Sequence, residues 1–191
     1  AFESMCPGNA PSDMLLDYHR SVAAGGIGMT TVAYAAVTQS GLSFDRQLWM
    51  RPEIIPGLRR LTDAIHAEGA AAGIQLGHCG NMSHKSICGC MPVGASSGFN
   101  LYSPTFVRGL RADELPEMAR AYGRSVNLAR EAGFDSVEIH AGHGYLISQF
   151  LSPSTNHRKD EFGGSLQNRM RFMDMVMEEV MRLPAVIWLC W

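Results

Sequence analysis

Apolar residues follow two different periods along this chain. In four segments they recur at intervals of three and four residues, which is the pattern of an amphipathic helix with one face on the core. Between those segments, short runs of apolar and β-branched residues are typical of strands buried on both faces. The pattern therefore predicts helices in residues 11–26, 55–69, 114–133 and 165–181, and strands in residues 26–37, 71–77 and 135–140.

Each predicted helix has an apolar stripe, and two begin next to a serine. Ser12 and Ser165 stand where a hydroxyl can accept a hydrogen bond from a backbone N–H of the first turn. In the last helix the stripe consists mainly of methionine, which at this spacing is typical of core packing rather than of a cofactor surface. The residues expected to face the core are Met14, Tyr18 and Val22; Leu58, Leu61 and Ile65; Leu115, Met118, Tyr122, Val126 and Ala129; and Met170, Met173, Met177 and Val180.

The alternation of helices with buried strands predicts a parallel α/β architecture, either an open sheet or a barrel. No G-x-G-x-x-G motif joins a strand to a helix, which disfavours a dinucleotide-binding sheet; the glycines of residues 25–29 lie where a helix leads into a strand. Chemically active side chains instead follow the ends of strands, as in a (β/α)8 barrel. These side chains are Tyr34, Gln75, His78, His140 and His143.

Composition and charge restrict the kinds of partner that we expect for this protein. A chain of 191 residues with 46% hydrophobic content can build one core. The formal net charge is −2 without a dense Lys/Arg cluster, so we expect no nucleic-acid partner and no anionic membrane partner. Neither an apolar run of about 20 residues nor an export signal is visible, and we expect a cytoplasmic protein.

The five cysteines are odd in number and scattered, which favours reduced thiols over a disulfide framework. Cys88 and Cys90 are separated by one residue, whereas zinc and iron-sulfur pairs usually have two residues between the ligands. We therefore interpret them as loop cysteines. The chain does not support an iron-sulfur cluster.

The segment EIHAGHGYL, residues 138–146, joins the end of a strand to two histidines and a tyrosine. Imidazoles held side by side can donate hydrogen bonds to one oxygen, and a phenol nearby can deliver a proton, so His140, His143 and Tyr145 could polarise a carbonyl group. From these residues alone, a loop whose histidines only satisfy buried backbone groups is equally compatible. A zinc site ranks below both, because only Glu138 stands near as an acidic third ligand.

The continuation of this segment is more specific. Residues 140–172 contain, in order, the two histidines, Gly-Tyr-Leu at 144–146, Gln-Phe-Leu-Ser-Pro at 149–153, Asn156, Arg158, Asp160, Phe-Gly-Gly-Ser at 162–165, Asn168 and Arg169. This run resembles the old yellow enzyme family of flavin-dependent enzymes, and within it the 2,4-dienoyl-CoA reductase-like NADH:flavin oxidoreductases. The resemblance extends upstream and covers nearly the whole chain up to about Arg182.

The resemblance implies an FMN enzyme that uses NAD(P)H to reduce the C=C bond of a small α,β-unsaturated carbonyl compound or enoyl thioester. Gln75 matches the glutamine that pairs with the pyrimidine edge of the flavin, and Ala33 and Tyr34 align where a strand lies against the isoalloxazine ring. His140 and His143 match the pair that holds the carbonyl oxygen of the substrate. Tyr145 matches the proton donor to the alkene carbon.

Other residues of the motif are expected to have supporting roles. Arg158, Asp160, Asn168 and Arg169 are expected to fix the loop and helix that follow the site by charge-assisted hydrogen bonds. The segment from His78 to Arg111 is expected to overhang the pocket.

The chain also departs from the family pattern. The family's first strand is missing or reduced to residues 1–6, no basic residue follows Arg182, and the strands that hold the FMN phosphate are absent. Residues 1–191 are therefore expected to form an incomplete FMN-binding TIM-barrel domain, roughly strands 2 to 4 with their helices, with an atypical terminus in residues 183–191. The alternative is a truncated, inactive fragment that binds no flavin. A homo-oligomer of the full-length parent stays open.

Overall fold

The computed structural model describes residues 3–101 and 104–182, and the backbone of residues 187–190. Helices and strands alternate along most of the chain, as the two periods predict. The elements, numbered in chain order, are α1 (Asp13–Ala24), β1 (Met29–Ala36), α2 (Ile55–Ala67), β2 (Ala71–Gly77), α3 (Lys85–Cys88), β3 (Val93–Gly94), β4 (Gly98–Asn100), β5 (Thr105–Gly109), α4 (Leu115–Glu131), β6 (Ser136–His140), α5 (Leu146–Leu151), α6 (Leu166–Met181) and β7 (Ile187–Cys190).

Four parallel strands form the main sheet in the order β1-β2-β6-β7. The pairs Thr31↔Gly73, Gly73↔Ser136 and Val137↔Ile187 give the register from strand to strand. Each strand is joined to its neighbour through a helix, which is the βα repeat of a barrel wall. The three predicted strands are confirmed, and β7 adds a fourth strand in a segment where no strand was predicted.

α1 and α6 begin where the sequence predicts, because Ser12 accepts a hydrogen bond from Leu15 N and Ser165 accepts one from Asn168 N. The predicted stripes of α2 and α4 lie in the core. In α1 the predicted face is wrong by one position, since Met14 and Tyr18 are exposed. The residues of α1 that are buried are Leu15, His19 and Ala23.

In α6 the predicted stripe is partly wrong. Met170 is exposed, whereas Met173 and Val180 are buried as predicted. Phe172 and Val176 complete the buried face. No helix in the described ranges is both long enough and apolar enough to cross a membrane.

The irregular segment after β2 contains a second, small sheet in the order β3-β5-β4. β5 runs antiparallel to β4 and parallel to β3. The family's first strand was expected to be missing or reduced to residues 1–6; residues 1 and 2 lie outside the described residues, and residues 3–6 form no strand. Of the atypical terminus, residues 183–186 and 191 also lie outside the described residues.

Candidate functional site

Three neighbouring strands bring their side chains to one face at their carboxyl ends. β2 lies between β1 and β6, and at its last position it has Gly77. A Cβ atom at this position would lie 3.0 Å from Cδ2 of Tyr34 and 3.2 Å from Cβ of His140. The absence of a side chain at Gly77 therefore lets a ring from β1 and a ring from β6 approach each other across the middle strand.

Four aromatic rings meet at this point. The centroid of Tyr34 lies 5.8 Å from that of His140 and 5.3 Å from that of Tyr145. The centroid of His140 lies 5.0 Å from that of Tyr145 and 4.9 Å from that of His143. The sequence predicted that His140, His143 and Tyr145 lie together, and the structure brings them together with Tyr34.

The two histidines are hydrogen-bonded to each other, with His143 Nδ1 3.1 Å from His140 Nε2. His140 is buried and His143 is exposed. Burial lowers the pKa of His140 to about 4, and the neighbouring His143 also lowers it, while Glu138 acts in the opposite direction. His140 is therefore a neutral imidazole at neutral pH.

The backbone after β6 turns sharply to place these rings. His143 has φ +55° and Gly144 has φ +69°, so two consecutive residues are in the left-handed region. This conformation is unusual for a residue other than glycine, and it is often found at functional sites. The turn carries the chain into α5, whose first residue Leu146 donates from its backbone N–H to the carbonyl of His78, 2.9 Å away.

Tyr145 stands at the N-terminus of α5 and is half-buried. Burial raises the pKa of its phenol above the ordinary value. The phenol therefore carries its proton at neutral pH. A protonated phenol next to a neutral His140 is an arrangement that can donate a proton to a bound molecule.

Gln75 precedes Gly77 by two residues in β2 and is paired with Glu138 of β6. Its Nε2 donates to Oε1 of Glu138. Its own Oε1 is buried and has no hydrogen-bond partner among the described residues. A buried amide oxygen without a partner costs about 1–3 kcal/mol, which a ligand donor could recover.

Ala33 and Tyr34 lie in the irregular part of β1, where the register against β2 shifts between Val32 and Ala35. Tyr34 is buried, and its hydroxyl donates to the carbonyl of Gly41, 3.1 Å away. The same hydroxyl lies 2.5 Å from Oγ of Ser43. The phenol of Tyr34 is thus hydrogen-bonded to the loop after β1. The small side chain of Ala33 is half-buried.

His78 was expected to overhang the pocket with the segment that follows it, but its own side chain is completely buried. Gly80 N–H donates to Nδ1 of His78 over 2.9 Å, and Ser40 Oγ lies 3.1 Å from Nε2. Burial lowers the pKa of His78 to about 3. This histidine is therefore a neutral internal support whose backbone carbonyl anchors α5.

Gln149 holds the loop of the site and was missed by sequence reasoning. Its buried amide nitrogen lies 2.7 Å from the carbonyl of Gly144, 2.9 Å from Oδ1 of Asn81 and 3.2 Å from the carbonyl of Cys79. The amide oxygen accepts from Asn81 N at 3.2 Å. Its place in the Gln-Phe-Leu-Ser-Pro run was the available signal, but nothing in the sequence indicated the residues to which it binds.

The supporting roles predicted for the motif residues after α5 are confirmed. Arg158 donates to the carbonyls of Ala95 and Leu110, and its Nε lies 2.9 Å from Oδ1 of Asp160. In the same way, Asn168 donates to the carbonyl of Gly163 over 3.0 Å, and Arg169 donates to that of Leu151 over 2.7 Å.

Within the described residues, no group of three or more His, Cys, Asp or Glu side chains is arranged to hold a metal ion. The third ligand that a zinc site at His140 and His143 requires is therefore not found there. Cys88 and Cys90 lie close to each other, with the two sulfurs 3.7 Å apart.

Comparison with known proteins gives a consistent family. Residues 1–185 match the model of the NADH:flavin oxidoreductase / NADH oxidase family. The chain is 41% identical to a 4,4'-dithiodibutanoate disulfide reductase of Rhodococcus erythropolis, over 94% of this chain and 44% of that protein.

Solved structures of the same kind are also similar. The old yellow enzyme homologue from Zymomonas mobilis is 28% identical with a TM-score of 0.89, covering 98% of this chain and 57% of that one. A 2-naphthoyl-CoA reductase in complex with 2-naphthoyl-CoA is 28% identical with a TM-score of 0.91, covering 98% of this chain and 32% of that one. The chain thus spans about half the length, or less, of the proteins that it matches. The predicted partial barrel and the predicted family are confirmed.

Proposed function

This chain belongs to the NADH:flavin oxidoreductase / NADH oxidase family, and we propose that the protein to which it contributes is an FMN-dependent reductase of activated C=C bonds. The electrons come from NADH or NADPH. The substrates are α,β-unsaturated carbonyl compounds or enoyl thioesters. The observation that carries the proposal is the convergence of His140, His143 and Tyr145 beside Gln75 at the carboxyl ends of parallel strands.

The residues around Gln75 fit a flat cofactor with hydrogen-bonding edges. Oε1 of Gln75 is a buried acceptor without a partner among the described residues, as the pyrimidine edge of FMN requires. The small side chain of Ala33 is only half-buried, so β1 presents little bulk to a planar ring at this position. When bound, FMN would supply the two-electron transfer between the nicotinamide donor and the substrate.

The histidines would hold the carbonyl oxygen of the substrate. His143 Nδ1 and His140 Nε2 point at each other across 3.1 Å, so an oxygen that binds both must replace their mutual hydrogen bond. His143 is the exposed member and is the one free to move aside. Two donors aimed at this oxygen stabilise the negative charge that develops on it during reduction.

Tyr145 would hold the proton that the substrate carbon receives. Its raised pKa keeps the phenol protonated at neutral pH, and its ring centroid lies 5.0 Å from that of His140. Adjacent side chains can therefore bind the oxygen of the substrate and donate a proton to its carbon. General acid catalysis of this kind contributes about 10²- to 10⁴-fold to a rate.

Reduction of organic disulfides is a second candidate activity. It is favoured by the similarity of this chain to a protein named as a disulfide reductase. The same site would serve it, since a departing thiolate needs a proton as an enolate carbon does. An inactive fragment that binds no flavin is the alternative to both.

The deciding experiment uses the full-length protein. Purified protein is expected to show the visible absorbance of bound flavin, and the released cofactor is expected to be FMN. NADH or NADPH should be consumed with 2-cyclohexenone and not with cyclohexanone, and 4,4'-dithiodibutanoate is tested in parallel as the disulfide. Protein that stays colourless after incubation with FMN would overturn the proposal.

A matched pair of variants tests the flavin contact without using activity. Gln75→Met removes the amide, while Gln167→Met makes the same change at an exposed position of α6. Loss of one hydrogen bond of about 1 kcal/mol weakens FMN binding roughly fivefold. The dissociation constant, measured by quenching of FMN fluorescence, should rise in the Gln75 variant alone.

A further inference from the structure

Two cysteine thiols face each other at the end of α3. Gly89 follows the helix with φ +72°, and its N–H donates to the carbonyl of Lys85 over 2.9 Å. This left-handed turn brings Cys88 and Cys90 to the same side, with their sulfurs 3.7 Å apart. Glycine adopts this backbone conformation without strain, so Gly89 allows the turn that lies between the two cysteines.

The two thiols differ in exposure. Cys88 is buried, whereas Cys90 is exposed and lies on the wall of a cavity of about 580 Å³. Arg108 and Met91 line the same cavity. A small molecule can therefore reach the sulfur of Cys90 directly, and the sulfur of Cys88 lies just behind it.

We propose that Cys88 and Cys90 are a redox-active dithiol that small organic disulfides oxidise to an intrachain disulfide. Cys90 is the attacking thiol because it is the accessible one. Cys88 is the resolving thiol because its sulfur lies 3.7 Å from that of Cys90. This site is separate from the ring cluster of His140 and Tyr145.

The reaction is a thiol–disulfide exchange in two steps. Cys90 attacks one sulfur of the disulfide R–S–S–R, forms a Cys90–S–S–R bond and releases one thiolate, which takes up the proton that Cys90 lost. Cys88 then attacks the sulfur of Cys90, forms the Cys88–Cys90 bond and releases the second thiolate with the proton of Cys88. The dithiol loses two electrons, and R–S–S–R gains them as two R–SH molecules.

The geometry needs only a local change. A disulfide requires the sulfurs to come to about 2.0 Å, so the 3.7 Å separation must shorten, which rotation of the exposed Cys90 side chain can provide. Among the other described cysteines, Cys6 and Cys79 are buried. Cys79 donates its S–H to the carbonyl of Leu42 at 3.4 Å. Oxidation by a dissolved disulfide is therefore selective for Cys88 and Cys90 within the described residues.

The rate of the first step depends on pH. The pKa of Cys90 is raised to about 11, mainly by partial burial of its sulfur and also by Cys88 beside it, while Arg108 acts in the opposite direction. Because the thiolate is the nucleophile, the rate should rise about tenfold for each pH unit between 7 and 10.

Mass spectrometry of the full-length protein tests the proposal. The protein is incubated with oxidised glutathione in the absence of NADH and NADPH, so that flavin chemistry plays no part, then treated with N-ethylmaleimide and digested with trypsin. The tryptic peptide of residues 86–108 contains Cys88 and Cys90 and no other cysteine. It is expected to lose two hydrogens, to take up no maleimide, and to regain both labels after treatment with dithiothreitol.

Single serine variants separate the two roles. Cys88→Ser should leave one glutathione on Cys90 as a stable mixed disulfide, since no resolving thiol remains. Cys90→Ser should take up no glutathione, because the remaining thiol is buried. The proposal is overturned if the wild-type peptide keeps both maleimide labels after oxidation, or if it accumulates the mixed disulfide. The wild-type result stands even where a variant fails to fold.

Discussion

Nδ1 of His143 lies 3.1 Å from Nε2 of His140, so the two imidazoles of the site satisfy each other when no other partner is between them. One nitrogen must donate and the other must accept, and the lowered pKa of His140 keeps that ring neutral. The two atoms proposed to hold the substrate oxygen therefore face each other. Binding of an oxygen replaces this hydrogen bond, and the nitrogen that accepts it can donate to the ligand only after its ring changes tautomer or takes up a proton.

This exchange predicts how substitutions of His143 behave. His143→Asn keeps an N–H donor and should hold kcat/KM for 2-cyclohexenone within about tenfold of the wild type. His143→Ala removes the donor and should lower kcat/KM by about 10²- to 10³-fold, the usual loss for one donor to a developing oxyanion. Steady-state kinetics of the full-length protein measure both. Equal losses in the two variants would contradict the donor role of His143.

Gln149 should control both the stability and the geometry of the loop after β6. Gln149→Met removes the donor to the Gly144 carbonyl and the acceptor for Asn81 N, and should lower the free energy of unfolding by about 1–3 kcal/mol. Gln149→Glu should cost more, because it places a carboxylate next to carbonyl oxygens. Urea unfolding gives the values. Gln167→Met, at an exposed position, is the control and should change stability by less than about 0.5 kcal/mol.

His78 should make the protein less stable in mild acid. Its pKa is about 3 in the folded chain, whereas in the unfolded chain it has the ordinary histidine value of 6.5. Below pH 6.5 the unfolded chain therefore binds a proton that the folded chain does not. Stability is therefore complete above pH 6.5 and decreases as the pH falls towards 3, by at most about 1.4 kcal/mol per pH unit. Between pH 7 and pH 5 the contribution of His78 is a loss of about 2 kcal/mol.

His78→Asn provides the test of that pH dependence. An asparagine does not titrate in this range, so the variant should lose less stability than the wild type between pH 7 and pH 5, whatever its stability at pH 7. Urea unfolding at the two pH values gives the comparison. The same decrease in both proteins would show that protonation of His78 in the unfolded chain does not cause the loss of stability.

The sequence predicted the parts of the fold that depend on periodicity. Buried stripes such as Leu58, Leu61 and Ile65 follow directly from apolar spacing, and they lie in the core. The face of α1 could not be predicted in this way. His19 is buried there because its Nδ1 lies 2.8 Å from Oγ1 of Thr30, and a hydrogen bond between two elements leaves no trace in the hydrophobic pattern.

In the candidate site, too, the sequence predicted the local arrangement but not the contacts between distant parts of the chain. His140, His143 and Tyr145 follow the end of one strand, so their proximity is a local property of the chain. The position of Tyr34 against His140 depends on Gly77 in the strand between them and on the register shift in β1. The role of Gln149 depends on contacts with residues about 70 positions away, such as Cys79. Contacts of this kind become visible only when the sheet is assembled.

The central claim is that Tyr145 donates a proton to a substrate whose oxygen is held by His140 and His143. Tyr145→Phe removes this proton and leaves the ring, and Tyr18→Phe makes the same change at an exposed tyrosine of α1. Stopped-flow absorbance at the flavin band separates reduction by the nicotinamide donor from reoxidation by 2-cyclohexenone in the full-length protein.

In that measurement, Tyr145→Phe should slow reoxidation by about 10²- to 10⁴-fold and should leave flavin reduction within about twofold of the wild type. Tyr18→Phe should change neither rate. If Tyr145→Phe is reoxidised by the enone as fast as the wild-type protein, Tyr145 is not the proton donor and the account of the site is wrong.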